Sequence, residues 1–238
     1  MMIPPFTLPS KSSIKILMRE ATVSDLLDFA DLDPDHEEEI TTLFLNRLQD
    51  KGTFVDSLTW TAEDRRFGLF WYWLHTTDDC DVAITYQCGH CGKSHTFLQD
   101  YRKLADGFTS MQGLPEREFD YADTRYTVKP LTGEDVEQLE AMRMMGDSKS
   151  DQLKRKLERI SRTASIPVDK IAALSLKDYR SIEELVETAL MDMQHGLEAE
   201  HTDGKISLIL QPHQCPNEKE AMTRVRVLFR TDDFIPAL

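Results

Sequence analysis

The hydrophobic residues of this chain recur mainly at the three- and four-residue spacing of amphipathic helices. In the first third of the sequence this spacing predicts helices over residues 34–48 and 62–75. Pro34 suits the first turn of the first helix, and the hydroxyl of Thr61 can cap the second. After Phe67 the second helix is apolar over most of its circumference, so we expect it to lie at the buried centre of the N-terminal half.

Alternating apolar and polar residues, which are typical of half-buried β-strands, occur in short runs that lie next to one another. Strands are predicted over residues 13–19, 81–87, 93–98, 118–122, 125–129, 205–210 and 224–229. A long helical stretch separates the last two strands from the others, with helices predicted over residues 134–144, 149–161, 168–173 and 176–194. Because the strands cluster and do not alternate with crossover helices, the predicted fold class is α+β.

These elements predict a helical N-terminal part and a helical insert around a small β-rich, zinc-ribbon-like unit. Residues 1–20, which are rich in proline and serine at their start, form an extended arm and a strand. Residues 21–78 form the helical part. Residues 79–131 and 203–238 together form the β-rich unit, and residues 132–202 form the insert between its two halves.

Composition narrows the choice of partner. Hydrophobic residues make up 40% of the 238 residues, which is enough to bury a core, and the net charge is -14. An acidic surface repels phosphate backbones and anionic lipid, so we expect protein partners and neither nucleic acid nor membrane. The most apolar run, residues 67–74, is too short to cross a bilayer, and the N-terminus lacks the pattern of a signal peptide. We therefore expect a protein that is made in a cytoplasm.

The sharpest chemical feature is the turn Cys88–Gly92, whose sequence is Cys-Gly-His-Cys-Gly. Four cysteines in a chain without a secretory signal favour metal or redox chemistry over disulfides. Two cysteines at positions i and i+3, with small residues that let the backbone fold under an ion, match half of a zinc-ribbon site. Redox Cys-x-x-Cys motifs open a helix, whereas a strand is predicted to follow here, so a metal site is the preferred interpretation.

The remaining ligands must come from elsewhere in the chain. Cys80 would lie roughly 25 Å away if the residues between it and Cys88 form a strand. His95 is closer, but it falls on the outgoing strand and would need a tight bulge. The better candidates are His213 and Cys215, which stand at the end of one predicted strand and before another.

The predicted site is therefore of the Cys₃His type, with Zn²⁺ as the expected ion and with four ligands: Cys88, Cys91, His213 and Cys215. A closed tetrahedral site leaves no position for a substrate or a water, so it contributes to folding and not to catalysis. An iron–sulfur cluster would usually require four cysteines, and this set contains three. His95 and Cys80 are the alternative ligands.

No other motif points to an enzyme. The sequence lacks the Gly-x-Ser-x-Gly elbow of serine hydrolases and both common glycine-rich nucleotide-binding motifs. A basic cluster, formed by residues 154–156 with Arg159 and Arg162, suits a solvated helix face or a contact with an acidic partner. We expect no enzymatic activity.

Five short segments carry a resemblance to a known family. They are Leu8–Ser10, Leu58–Phe67, Cys88–Gly92, Val128–Asp135 and Phe234–Pro236. In this order they resemble segments of the baseplate hub and hub-assembly proteins of T4-type contractile-tailed bacteriophages. The chain departs from the family pattern at the second pair of predicted ligands, where His213 and Cys215 take the place of a fuller pair of cysteines.

The resemblance implies a virion protein of the viral tail baseplate, at the hub or close to the tube, with a structural and non-catalytic role. It implies contacts with other tail proteins in a multi-subunit assembly that is put together in the host cytoplasm. Two other functions stay open at this point. One is a tail assembly chaperone that helps to build the hub and then leaves. The other is a zinc-ribbon regulator that binds nucleic acid, and the net charge of -14 counts against it.

Overall fold

The computed structural model describes residues 3–30, 33, 35–202, 205–218 and 220–236. In this part of the chain the helices are α1 (Val23–Ala30), α2 (Glu37–Leu48), α3 (Ala62–Thr76), α4 (Arg102–Asp106), α5 (Gly133–Met145), α6 (Lys149–Ala164), α7 (Val168–Ala172) and α8 (Leu176–Met191). The strands are β1 (Phe6–Thr7), β2 (Lys15–Ile16), β3 (Asp81–Gln87), β4 (Ser94–Asp100), β5 (Arg117–Tyr121), β6 (Thr124–Val128), β7 (Ala199–Thr202), β8 (Lys205–Ile209), β9 (His213–Gln214), β10 (Met222–Thr223) and β11 (Arg226–Leu228). The strands pair antiparallel in small sheets, which confirms the α+β class.

Most predicted elements are present, with differences at their ends. α3 begins after the predicted cap, because Thr61 Oγ1 accepts a hydrogen bond from the backbone N–H of Asp64 at 3.1 Å. α2 begins at Glu37, and Pro34, which was expected in its first turn, lies outside the described residues. The strand predicted over residues 13–19 is much shorter, since only β2 pairs with β1 there.

Both ends of the chain pack against α3 in the larger of the two hydrophobic cores found in the described residues. The ring of Phe6 lies 5.7 Å from that of Phe67, and the ring of Phe234 lies 5.9 Å from that of Phe70. The N-terminal arm is extended, as predicted, but its apolar side chains are buried in the chain's own core: Ile3, Phe6 and Leu8. The arm is therefore part of this fold.

The second hydrophobic core lies between α6, α7, α8 and the β5–β6 hairpin. Ile160, Ile171 and Val186 are buried there, one from each helix, and so is Val128 at the end of β6. The sequence assigned this hairpin to the β-rich unit, whereas its side chains pack with the insert. The rest of the four-part division stays a prediction.

Charged side chains lie where α5 contacts α2 and α3. The side chain of Arg65 is 1% exposed; its Nη2 donates to Glu38 O at 2.6 Å, and its Nη1 lies 4.0 Å from Glu137 of α5. A Cβ atom on Gly133 would lie 2.0 Å from Arg65 Nη1 and 2.7 Å from the carbonyl oxygen of Ser57. Glycine therefore lets α5 approach the buried guanidinium. We call Arg65, Glu38, Glu137 and Gly133 the Arg65 junction.

Candidate metal centre

The β3–β4 hairpin supplies the first turn of the candidate site. Its strands pair in an unbroken register up to the tip. There the backbone N–H of Cys88 donates to Lys93 O at 2.9 Å, and that of Gly92 donates to Cys88 O at 3.0 Å. Gly92 has a φ of +67°, in the left-handed region that favours glycine. This tight turn brings the side chains of Cys88 and Cys91 together.

A short antiparallel ladder near the C-terminus supplies the second turn. β9 and β10 form the ladder, and the backbone N–H of Cys215 extends it by donating to Ala221 O at 2.8 Å. The N–H of Glu218 donates back to Cys215 O at 3.3 Å and closes the turn. Cys215 is thereby folded inward and is 1% exposed.

The two turns meet, and four side chains converge between them. The Sγ atoms of Cys88, Cys91 and Cys215 and a ring nitrogen of His95 all lie within 4.8 Å of one another. Cys91 Sγ and His95 Nε2 are 3.1 Å apart. Metal bonds of about 2.0–2.3 Å to nitrogen and sulfur would place four tetrahedral ligands at similar separations, so this group could hold one metal ion. Among the described residues it is the one His, Cys, Asp and Glu group that converges in this way.

Three of the four predicted ligands lie in this group, and the fourth is His95 instead of His213. His213 Nδ1 lies 2.8 Å from Tyr86 Oη, and its ring stacks on Phe97 with the centroids 4.2 Å apart. These contacts hold the His213 imidazole against the hairpin and away from the thiols. His95 needs no bulge, because it keeps its regular place opposite Tyr86 and its long side chain reaches Cys91.

Cys80, the other alternative ligand, and His90 lie apart from the group. The buried Cys80 thiol lies 3.9 Å from the carbonyl oxygen of Leu74, which agrees with the argument from strand length. His90, inside the first turn, points toward the second turn, with its Nε2 3.2 Å from Met222 O. Neither side chain belongs to the converging set.

Hydrogen bonds favour the thiolate forms of the two cysteines in the first turn. The pKa of Cys91 is lowered to about 7, chiefly by the side-chain amide of Asn217 at 3.5 Å and then by the backbone N–H of Lys93. The pKa of Cys88 is lowered by the backbone N–H of Cys91 and by the hydroxyl of Thr223. The thiolate is the form that binds metals, so these surroundings suit ligands better than inert thiols.

The second turn repeats the backbone arrangement of the first. Burial raises the pKa of Cys215, but the N–H groups of residues 217 and 218 act in the opposite direction. These residues follow Cys215 by two and three positions, as His90 and Cys91 follow Cys88. Glu218 stands where a second cysteine would complete the repeat, and His95 from the other turn supplies the fourth donor instead.

A separate buried polar group joins Ser10, Thr61, Asp64 and His195. Ser10 Oγ donates to the Asp64 carboxylate, and Thr61 Oγ1 lies 2.7 Å from His195 Nε2. Ser10 donates to the carboxylate and not to the imidazole, so this serine does not have the base partner of a serine-hydrolase nucleophile. Its contacts connect the N-terminal arm, α3 and the segment that follows α8.

Neither a scan against protein-family models nor searches of curated proteins and of solved structures finds a match to this chain. None of the described helices combines the length and the apolar character that a membrane span requires. Function is therefore inferred from the candidate site and from the resembling sequence segments.

Proposed function

We propose that this chain is a structural component of a bacteriophage contractile-tail baseplate, and that a zinc ion on Cys88, Cys91, His95 and Cys215 fastens its fold. The observation that carries the zinc part of the proposal is the closed Cys₃His group, which offers four protein ligands to one ion. Structural zinc sites are four-coordinate, and three cysteines with one histidine are a common ligand set. With side chains in all four positions, the ion would have no place for a substrate.

The ion would fasten the β3–β4 hairpin to the β9–β10 turn, which lie on either side of the insert in the sequence. Binding of this kind adds to the free energy of folding, because the unfolded chain has no preformed site. A fixed surface without chemistry suits a subunit that acts through contacts with other proteins.

The baseplate assignment depends on the resembling segments, and three of these lie together in the fold. They are Leu8–Ser10, Leu58–Phe67 and Val128–Asp135. The backbone N–H of Gly133 donates to Trp60 O at 2.9 Å, and that of Ser10 donates to Asp64 Oδ1 at the same distance. One continuous part of the molecule therefore carries three of the five resembling segments.

The protein content of purified particles tests this proposal. Quantitative mass spectrometry of virions or isolated tails should find the chain at a fixed copy number relative to the tail-tube protein. A chain that is abundant in the infected-cell lysate and absent from particles would overturn the virion role and favour the assembly chaperone. Retardation of DNA in a gel shift at low ionic strength would instead favour the nucleic-acid regulator.

A further inference from the structure

The solvent-facing side of α8 carries an ordered stripe of charge. Lys177, Arg180, Glu184, Glu187 and Met191 follow one another at spacings of three and four residues, so they lie along one line of the helix. All five side chains are exposed. The N-terminal half of the stripe is positive and its C-terminal half is negative.

Arg180 and Glu184 are the one neighbouring pair of opposite charge in this stripe, and the rest of the order does not stabilise an isolated helix. The N-terminal end of a helix dipole favours negative side chains and the C-terminal end favours positive ones, and the stripe has the reverse. Lys177 and Arg180 are like-charged neighbours three residues apart, and so are Glu184 and Glu187. In the described part of the chain no ion pair involves these four residues, and the salt bridge of α8 uses Glu183 with Lys156 of α6.

A second copy of α8, placed antiparallel, would place an opposite charge beside each charged residue of the stripe. We propose that the α8 stripe is a twofold interface between two copies of this chain. Lys177 then faces the partner's Glu187, and Arg180 faces the partner's Glu184. Both pairs are centred on position 182, so a single twofold axis at that level satisfies them together.

Apolar side chains at both ends of the helix fit the same arrangement. Leu176 and Met191 are each 65% exposed and lie at opposite ends of α8. In an antiparallel pair, the Leu176 end of one copy lies beside the Met191 end of the other, so both exposed side chains gain an apolar neighbour. The charges set the register and direction, and the apolar ends add buried area.

The expected dimer is weak. α8 has 16 residues and is about 24 Å long, and one pair of such helices buries less than the roughly 1,200 Å² of a standard stable interface. The net charge of -14 also opposes the approach of two copies. We therefore expect association that depends on protein concentration. It should be measured at an ionic strength of about 0.15 M, at which charge repulsion is screened beyond about 8 Å.

Charge reversal tests the interface by sedimentation equilibrium of the full chain. One variant carries Lys177→Glu with Arg180→Glu, and the other carries Glu184→Lys with Glu187→Lys. Each presents a stripe of a single sign, so each alone should associate at least about tenfold more weakly than the wild type. The first variant is more acidic than the wild type and the second is less acidic. Weaker association of both variants would therefore exclude an effect of net charge. An equimolar mixture of the two should regain dimers.

The matched control is Lys149→Glu with Lys154→Glu in α6, which changes the net charge by the same amount as the first variant. It should associate nearly as well as the wild type, and circular dichroism should show that all variants remain folded. Three results would overturn the proposal. They are a wild type that stays monomeric at the highest attainable concentration, reversed variants that associate as the wild type does, and a mixture that stays monomeric.

Discussion

Two junctions connect distant parts of this chain, and they differ in the side chains that they use. The candidate metal centre joins two turns through three thiols and one imidazole. The Arg65 junction joins α2, α3 and α5 through a guanidinium that is 1% exposed, with Glu38 and Glu137 as its acidic neighbours. In our proposal the first junction is complete only with an ion from solution, whereas the second contains both of its charges in the chain.

This difference determines how much stability a single change removes at each junction. A metal site is lost as a whole when its ion leaves, so one ligand substitution or a chelator removes all of its contribution. The Arg65 junction loses only the contacts of the residue that is changed. Its carboxylates also keep some water, since the side chains of Glu38 and Glu137 are 24% and 27% exposed. We therefore expect the larger losses at the metal centre.

Cys215→Ser should have the largest effect. Removing this ligand should release the metal and lower the midpoint of thermal unfolding by roughly 10 °C, because metal loss is among the few single changes with large effects. Calorimetry and metal analysis of the same samples measure both. Cys80→Ser is the matched control, since it alters a buried thiol outside the group and should keep the metal. Metal loss in the Cys80 variant but not in the Cys215 variant would contradict the ligand set.

Arg65→Ala should lower the free energy of unfolding by about 3 kcal/mol. The substitution breaks a buried ion pair and leaves space beside Gly133, and either change is costly in a packed interior. Urea titration followed by circular dichroism gives the value. Arg125→Ala, whose ion pair with Asp120 is exposed, should cost much less. Equal losses in the two variants would mean that the junction does not stabilise the fold more than a surface pair.

Gly133→Ala should cost about 2 kcal/mol, because the added Cβ overlaps the guanidinium and the backbone of Ser57 and Leu58. The cost should be smaller in an Arg65→Ala background, since the closest atom is then removed, and a double-mutant cycle measures this coupling. At Gly107 a new Cβ would lie 3.6 Å from the carbonyl oxygen of Leu104, which is an ordinary contact, so Gly107→Ala serves as the control. Strict additivity of the two junction variants would contradict the close contact.

Glu140→Gln should have the smallest effect, and one that depends on pH. Burial, helped by the nearby Glu38 charge, raises the pKa of Glu140 to about 7, while its carboxylate accepts from Glu38 N at 3.1 Å. Because this pKa is above the ordinary value of about 4.3, the stabilising protonated form is fully present below pH 4 and is lost as the pH rises through 7.

The neutral Gln variant should therefore be more stable than the wild type at pH 8, by about 1 kcal/mol, and no more stable at pH 4. Urea titrations at the two pH values measure this difference. Glu118→Gln makes the same chemical change at an exposed position and should show no such gain on going to pH 8. A gain that is equal at both pH values would rule out titration of Glu140 as its cause.

The sequence was sufficient for most of the secondary structure. α3, for example, starts after the predicted Thr61 cap, and the hairpin over β5 and β6 turns close to the predicted place, at Ala122 and Asp123 with positive φ values. These features depend on local spacing and on turn residues, which a sequence displays directly. The strand predicted over residues 13–19 was too long, because only Lys15 and Ile16 pair with β1, whereas Met18 is buried in the larger core outside that pairing.

The ligand set shows what local reasoning misses. Cys88, Cys91 and Cys215 could be named because their residue types are good ligands at turns. The choice between His95 and His213 depended on where Tyr86 and Phe97 place the rings, and this is a matter of tertiary packing. The sequence did not predict the Arg65 junction, because two adjacent arginines in a helix are typical of a solvent-exposed face.

Metal content of histidine variants tests the central claim, that Cys88, Cys91, His95 and Cys215 hold one structural ion. The wild type, His95→Ala and His213→Ala should be purified from zinc-supplemented cells and analysed by mass spectrometry of the metal and by competition with a chelator. We predict one zinc per chain in the wild type and in His213→Ala, and a zinc affinity at least about tenfold lower in His95→Ala. A folded wild type without metal, or zinc loss in His213→Ala with retention in His95→Ala, would contradict the account.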